Sequence, residues 1–291
     1  MKAELRSSLV ELDGGPFAMG TNNTRFPGDG EGPIREVTVG KFAIASHEVT
    51  NRQFAAFADD TGYVTEAEKF GWSFVFHHFV SEETKNSVTQ AVQGAQWWWQ
   101  VPGSDWRHPD GPDSNWEDIP DNPAVHISWN DAVAMAEWAE MRLPTEAEWE
   151  FAARGGLDGA TFAWGEEVTP DGKHMCNIWQ GDFPNANTEE DGFHGTAPVG
   201  SFPANGYGMF DVAGNIWEWC SDWWSASYHR NERRVTRVDP TGPRQGQAKV
   251  IKGGSYLCHD SYCNRYRVGA RTSSTPDSST GNMGLRLAVS L

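Results

Sequence analysis

Two cysteines, Cys258 and Cys263, lie close together in the stretch GGSYLCHDSYCNRYRVGAR, residues 253–271. The chain has 291 residues and only 4 cysteines, so half of its thiols fall in one short segment. Two soft sulfurs at this spacing can close a local disulfide, hold a soft metal, or react. Zinc is a poor match: it wants about four ligands, and the segment supplies two thiols and His259. Cys176 and Cys220 follow no recognisable zinc spacing and complete a set only if folding brings them near.

The rest of the composition narrows the partners. With 23 Lys+Arg against 40 Asp+Glu, the formal charge is -17. Nucleic acid and anionic membrane both need a basic footprint, so neither is an expected partner. The opening MKAELRSSLVELDGG lacks a signal-type apolar run, and no stretch reaches membrane-spanning length. The expectation is a cytoplasmic monomer, in a compartment that disfavours a permanent disulfide. Asn22-Asn23-Thr24 matches a glycosylation acceptor but has no secretory context. The 15 Trp and 31 Gly together predict a loop-rich fold with indole rings filling the core.

Several elements must position the cysteines. Phe17-Ala18-Met19-Gly20 ends a strand, and Val37, Val39, Phe42 and Ile44 alternate about Gly40 as an extended pair would. Thr50 caps a helix with Phe54, Phe57 and Ala58 on its apolar stripe, and Gly62 ends it. Residues 64–125 are expected to be mostly a long excursion. It carries Trp97-Trp98-Trp99, which suit ligand binding if exposed and packing if buried; the sequence favours packing. Ser128 with Asp131, and Thr145 with Glu148, open two further helices, the second ending at Gly155-Gly156. Val250-Ile251 and Leu285–Val289 read as strands. No repeat or linker divides the chain, so one domain over 1–291 is expected.

At this point the motifs resemble formylglycine-generating enzyme, also called sulfatase-modifying factor. The matching pieces include FAMG, EVTNRQFAAF, TGYVTEAEKFG, WRHPDGPDS and HISWNDAVAMAEWAEMRLPTEAEWEFAARGG. They continue with NIWQGDFPNANTEEDGFHGTAPVGSFPANGYG, DVAGNIWEW and KGGSYLCHDSYCNRYRVGARTSSTPDSSTGNMGLR. RLPTEAEWE and GNIWEW are common to the wider superfamily and speak to fold. The segment bearing Cys258 and Cys263 is similar to the active-site segment of the true enzymes. Vertebrate secreted members carry structural disulfides elsewhere; here Val268 stands where one partner would be.

The resemblance implies that Cys258 and Cys263 ligate copper(I), a soft ion content with few thiolates, and that a substrate cysteine joins as a further ligand. It implies conversion of the cysteine in a Cys-X-Pro-X-Arg motif of an unfolded sulfatase to Cα-formylglycine, with dioxygen (O2) as co-substrate and an external reductant. Ser255, Tyr262, Arg271 and Asn282 are the implied polar neighbours, with Trp219 as an apolar wall. The resemblance also implies two structural calcium sites. The first uses Asn177, Asp191 and the carbonyls of Ile178 and Phe193. The second uses the Glu218 carboxylate with backbone at Ala213, Gly214 and Ile216.

The implied fold is a C-type-lectin-like α+β domain of low regular content. Two other functions compete. An iron-dependent sulfoxide synthase of the same superfamily would want a His-rich site and an added helical domain. A non-catalytic lectin-like binding module would have no use for the thiol pair.

Overall fold

The computed structural model describes residues 1–230 and 232–291. Helices are short and sheets are small, as the Gly-rich sequence predicts. The three expected helices are present: Asn51–Thr61, Trp129–Trp138 and Glu146–Arg154. Each opens with a reciprocal capping box, from Thr50 and Gln53, Ser128 and Asp131, and Thr145 and Glu148. Gly62 and Gly155 close the first and third in the left-handed conformation, at φ 65° and 57°, which glycine adopts without a Cβ penalty.

Three expectations change. The stretches flanking Gly40 are strands, Arg35–Val39 and Phe42–Ala45, but they do not pair with each other. The first pairs with Gly15–Met19 and the second with Leu9–Leu12 and Ala288–Ser290. The Gly40 N–H is tied at this corner to Asp239 Oδ1 at 2.6 Å. The expected strand Leu285–Val289 is broken between Met283–Gly284 and Ala288–Ser290, which join different sheets. Arg286 makes the break, because its guanidinium turns inward to Glu218 and to the carbonyls of Ala45 and Phe210.

The segment 64–125 is the third change. A helix, Glu66–Phe70, opens on a capping box of Thr65 and Glu68. An antiparallel sheet follows, with Ala95–Pro102 between Trp72–Phe76 and Ala91–Val92. The aromatic run is a strand because cross-strand pairs such as Phe76 with Trp98 and Val75 with Trp99 stabilise it. Trp97, Trp98 and Trp99 are half-buried, between the two alternatives the sequence leaves.

A four-stranded sheet positions the cysteines. Its order is Thr272–Ser274, Lys249–Lys252, Trp217–Trp223, Met283–Gly284. Lys249–Lys252 runs directly into Gly253 and Gly254, at φ 91° and 76°. A Cβ on Gly254 would stand 2.9 Å from the Tyr266 nitrogen, so only glycine lets the chain turn here. Buried Lys252 anchors the start of the loop, donating to Glu150 Oε2 at 2.9 Å and to the Val268 carbonyl at 3.0 Å. Cys258 and Cys263 then pack in one apolar cluster with Trp217, Trp219, Ile251 and Met283.

Candidate active site

The cysteine loop closes on itself around His259. The His259 carbonyl accepts from the N–H groups of Tyr262, Cys263 and Asn264, at 3.0, 2.9 and 3.1 Å. That turn brings Cys263 back to Cys258, with Cα atoms 4.7 Å apart and the two sulfurs joined as a disulfide. The His259 ring is spent locally, with Nδ1 2.8 Å from Ser261 Oγ. The pair opens on a cavity of about 320 Å³. A larger cavity of about 830 Å³ lies against the helix Trp129–Trp138 and holds neither cysteine.

Three of the implied polar neighbours reach this cavity. The Ser255 N–H is directed at Cys258 Sγ at 3.4 Å. Its hydroxyl oxygen accepts from Asn282 Nδ2 at 2.9 Å, and Asn282 Oδ1 accepts from Thr280 Oγ1 at 2.6 Å. Tyr262 stacks on Phe183, with centroids 4.5 Å apart, and meets Trp97 edge-on at 4.9 Å. Burial pushes its phenol above the ordinary range, against the opposing pull of Trp97, Trp98 and Arg265.

The fourth, Arg271, and the implied apolar wall, Trp219, do not line it. Arg271 is buried elsewhere, with Nε and Nη2 2.6 and 2.9 Å from the Glu146 carboxylate and Nη1 on the carbonyls of Asp29 and Ser225. A guanidinium so fully engaged is a structural ion pair. Trp219 shares the apolar cluster of the cysteines but donates from Nε1 to the Ile127 carbonyl at 2.8 Å, behind the cavity wall. Trp217, two residues nearer the strand end, lines the cavity instead, with Trp98, Arg265, Met283 and the edge strand Thr272–Ser274. These follow from strand pairing, which leaves no mark in the local sequence.

The donor set fits copper(I). Among the described residues, no group of three or more His, Cys, Asp and Glu side chains is placed to hold a metal. Cys176 and Cys220 are buried and free, and burial drives both thiols well above their ordinary range. Once reduced, the pair would offer two soft sulfurs lining the cavity, which suits a low-coordinate soft ion.

The oxygen-rich segments also converge. Asp191 accepts from the N–H groups of Ile178 and Phe193, at 3.0 and 3.1 Å. The Ile178 carbonyl and Asp191 Oδ2 meet at the Gln180 side-chain amide, so two implied oxygens face one point. The Asn177 side chain is turned to the Gly195 carbonyl and Asn215. At the second segment both Glu218 oxygens are taken, by Arg286 and by Trp149 Nε1. Beside it, Glu48 Oε2 and Asp211 Oδ1 are buried without a hydrogen-bond partner. Burial, and then Asp211, raise Glu48 well above the carboxylate range; burial lifts Asp211 to about 6. Orphaned buried carboxylate oxygens suit a hard cation, and the sequence reading passed over both residues. Gly214 carries the adjoining turn at φ 74°, where a Cβ would collide with the Asn177 carbonyl.

The Sulfatase-modifying factor enzyme 1-like domain matches residues 2–291. The chain is 58% identical to the formylglycine-generating enzyme of Thermomonospora curvata, over 98% of this chain and 94% of the relative. It is 52% identical to the Bos taurus formylglycine-generating enzyme, over 97% and 75%. The Bos taurus protein named inactive C-alpha-formylglycine-generating enzyme 2 is 44% identical over 97% and 87%. Among solved structures, PvdO from Pseudomonas aeruginosa superposes with a TM-score of 0.68 at 25% identity, covering 97% of this chain and 94% of that one. The α+β fold of few helices and small sheets is thus the one the resemblance implied. A match of this identity, running from residue 2 to residue 291, places the chain in the sulfatase-modifying factor family.

Proposed function

We propose that the chain is a formylglycine-generating oxidase that converts the cysteine of a Cys-X-Pro-X-Arg motif in an unfolded sulfatase to Cα-formylglycine. The observation that carries this reading is the paired sulfur of Cys258 and Cys263 in the lining of one cavity with Ser255, Tyr262 and Asn282. Family membership alone is insufficient, since a relative named inactive shares 44% of its sequence with this chain.

Copper(I), held by the thiolates of Cys258 and Cys263, would supply the redox chemistry with dioxygen. In balance, the substrate thiol (a methylene bearing –SH) and dioxygen, with two electrons and two protons from an external reductant, give an aldehyde, hydrogen sulfide and water. The chain's own part is placement. Ser255 and Asn282 give the cavity a polar side beside Cys258, and Tyr262 and Trp98 add aromatic surface to its lining. A peptide pinned there brings its cysteine to the pair without a further protein ligand competing for the place.

The proposal includes calcium, with Asn177, Ile178, Asp191 and Phe193 at one place and Ala213, Gly214, Ile216 and Glu218 at the other. Glu48 and Asp211, whose orphaned oxygens stand beside Glu218, are added to the second. Its role would be to pin long loops. A cytoplasmic monomer is part of the same proposal. Two buried free thiols and one pair that must be reduced to bind metal suit a reducing compartment.

The test is mass spectrometry of a Cys-X-Pro-X-Arg peptide after incubation with protein, copper, reductant and dioxygen. The aldehyde product is expected with the wild type and absent with Cys258→Ala. No aldehyde from folded, copper-loaded wild type would sink the proposal.

A further inference from the structure

His126 lies outside the cysteine cavity, yet the structure concentrates constraints on it. It is completely buried and holds the left-handed conformation at φ 59°, unusual for a residue with a side chain. Its backbone N–H donates to the Thr280 carbonyl at 3.0 Å. Its ring joins two other segments. Nε2 is 2.7 Å from the Pro109 carbonyl, and Nδ1 is 2.7 Å from Ser73 Oγ. Gly281 packs on the ring so closely that a Cβ there would stand 3.3 Å from Nε2.

The protons can be assigned from the partners. A carbonyl only accepts, so Nε2 carries the ring hydrogen and Nδ1 accepts from the Ser73 hydroxyl. With its one hydrogen committed to Nδ1, Ser73 Oγ must accept from Ser279 Oγ, 2.8 Å away. The alternative donation from Ser73 to the Ser279 carbonyl, at 3.1 Å, is then closed. The result is a one-way chain from Ser279 through Ser73 and His126 to Pro109. Burial holds the His126 imidazole down at about 4, so the neutral form this chain needs is the one present at ordinary pH.

The far end of the chain is the cavity wall. Thr280 follows Ser279, and its hydroxyl donates to Asn282 Oδ1, which fixes the amide with Nδ2 on Ser255. Gly281 is held to the Phe74 carbonyl at 2.9 Å, one residue along the same strand as Ser73.

We propose that His126 is a positioning residue: as a neutral, Nε2-protonated imidazole it locks segment 279–282, so that Asn282 and Ser255 stand fixed beside the Cys258–Cys263 pair. Its kinetic consequence rests on the formylglycine-generating reading; its structural consequence does not.

The test compares His126→Phe, His126→Gln and Ser73→Ala in the full chain. One measurement is amide hydrogen exchange over residues 275–285. The other is kcat and KM on a Cys-X-Pro-X-Arg peptide, at a temperature where circular dichroism shows each variant folded. Faster exchange at Gly281 and Met283 is expected in His126→Phe and Ser73→Ala. With it, kcat should fall about tenfold or more while KM moves less than about threefold, as for a misplaced but still accessible site. His126→Gln keeps one donor and one acceptor and should retain most of kcat.

Unchanged exchange in His126→Phe and Ser73→Ala overturns the proposal. So does an equal loss of kcat in His126→Gln and His126→Phe. If His126→Phe does not fold, Ser73→Ala and His126→Gln decide. If wild type makes no formylglycine while exchange rises as expected, the reaction assignment fails and the positioning role stands.

Discussion

The backbone N–H of Ser255 is directed at the sulfur of Cys258 from 3.4 Å, across the first turn of the cysteine loop. An N–H donor aimed at sulfur suits a thiolate ligand. The same residue's hydroxyl oxygen receives the Asn282 amide, so one serine links the reactive sulfur to the opposite cavity wall. Buried ion pairs at Glu146 and Glu150 hold the surrounding frame.

Metal uptake should be redox-gated. In the disulfide form, Cys258 and Cys263 offer no thiolate. Copper(I) competition assays should show uptake only after reduction, and Cys263→Ala should weaken reduced-state affinity by about a hundredfold or more. Equal uptake by oxidised and reduced protein would contradict a bis-thiolate site.

Asn282 and Arg271 should separate into two kinds of residue. Asn282→Ala takes the Asn282 donor from Ser255 Oγ and the acceptor from Thr280 Oγ1, and activity per folded molecule should drop about tenfold or more. Arg271→Met takes the bidentate guanidinium away from the buried Glu146 carboxylate and should cost up to about 3–5 kcal/mol of stability. Its activity per folded molecule should stay near wild type. Denaturant unfolding and peptide kinetics on both variants distinguish the two outcomes.

Calcium should raise Tm. Chelation followed by calcium return is expected to lower and then restore the melting midpoint, while Asp191→Asn and Asp211→Asn each reduce the recovery. A midpoint insensitive to chelator in wild type would remove calcium from the proposal.

Glu150 should make the fold acid-sensitive. Burial pushes its carboxyl up, but Lys252 and Arg154 outweigh that and hold it at about 2, below the ordinary 4.5. A folded value below the unfolded one means that the contribution is present above about pH 4.5 and fades as pH falls toward 2. Glu150→Gln removes one member of a buried ion cluster and should cost about 3–5 kcal/mol at neutral pH. The gap between wild type and variant should narrow in denaturation curves taken from pH 5 down to pH 3. A constant gap would show that packing, not charge, sets the loss.

Much of this arrangement was legible in the residues. The cysteine spacing, the capping boxes at Thr50, Ser128 and Thr145, and the closing glycines are local signals, because each acts within a few residues of itself. Ser255 and Tyr262 came only through the resemblance, and both line the cavity of the cysteine pair. Trp97–Trp99 were harder. They lie in a stretch, 64–125, that reads as a long excursion, and pairing with Trp72–Phe76 makes them a strand.

By itself, then, the sequence determined the thiol pair and the helices capped at Thr50, Ser128 and Thr145. Tertiary structure alone decided what faces the pair. Met283 arrives from a parallel strand and Thr272–Ser274 from a sheet edge, while Arg271, close by in sequence, is drawn away to Glu146. The physical reason is that strand register and buried ion pairing are set by partners more than a hundred residues apart in some cases, as for Arg271 and Glu146, and local spacing does not encode such partners.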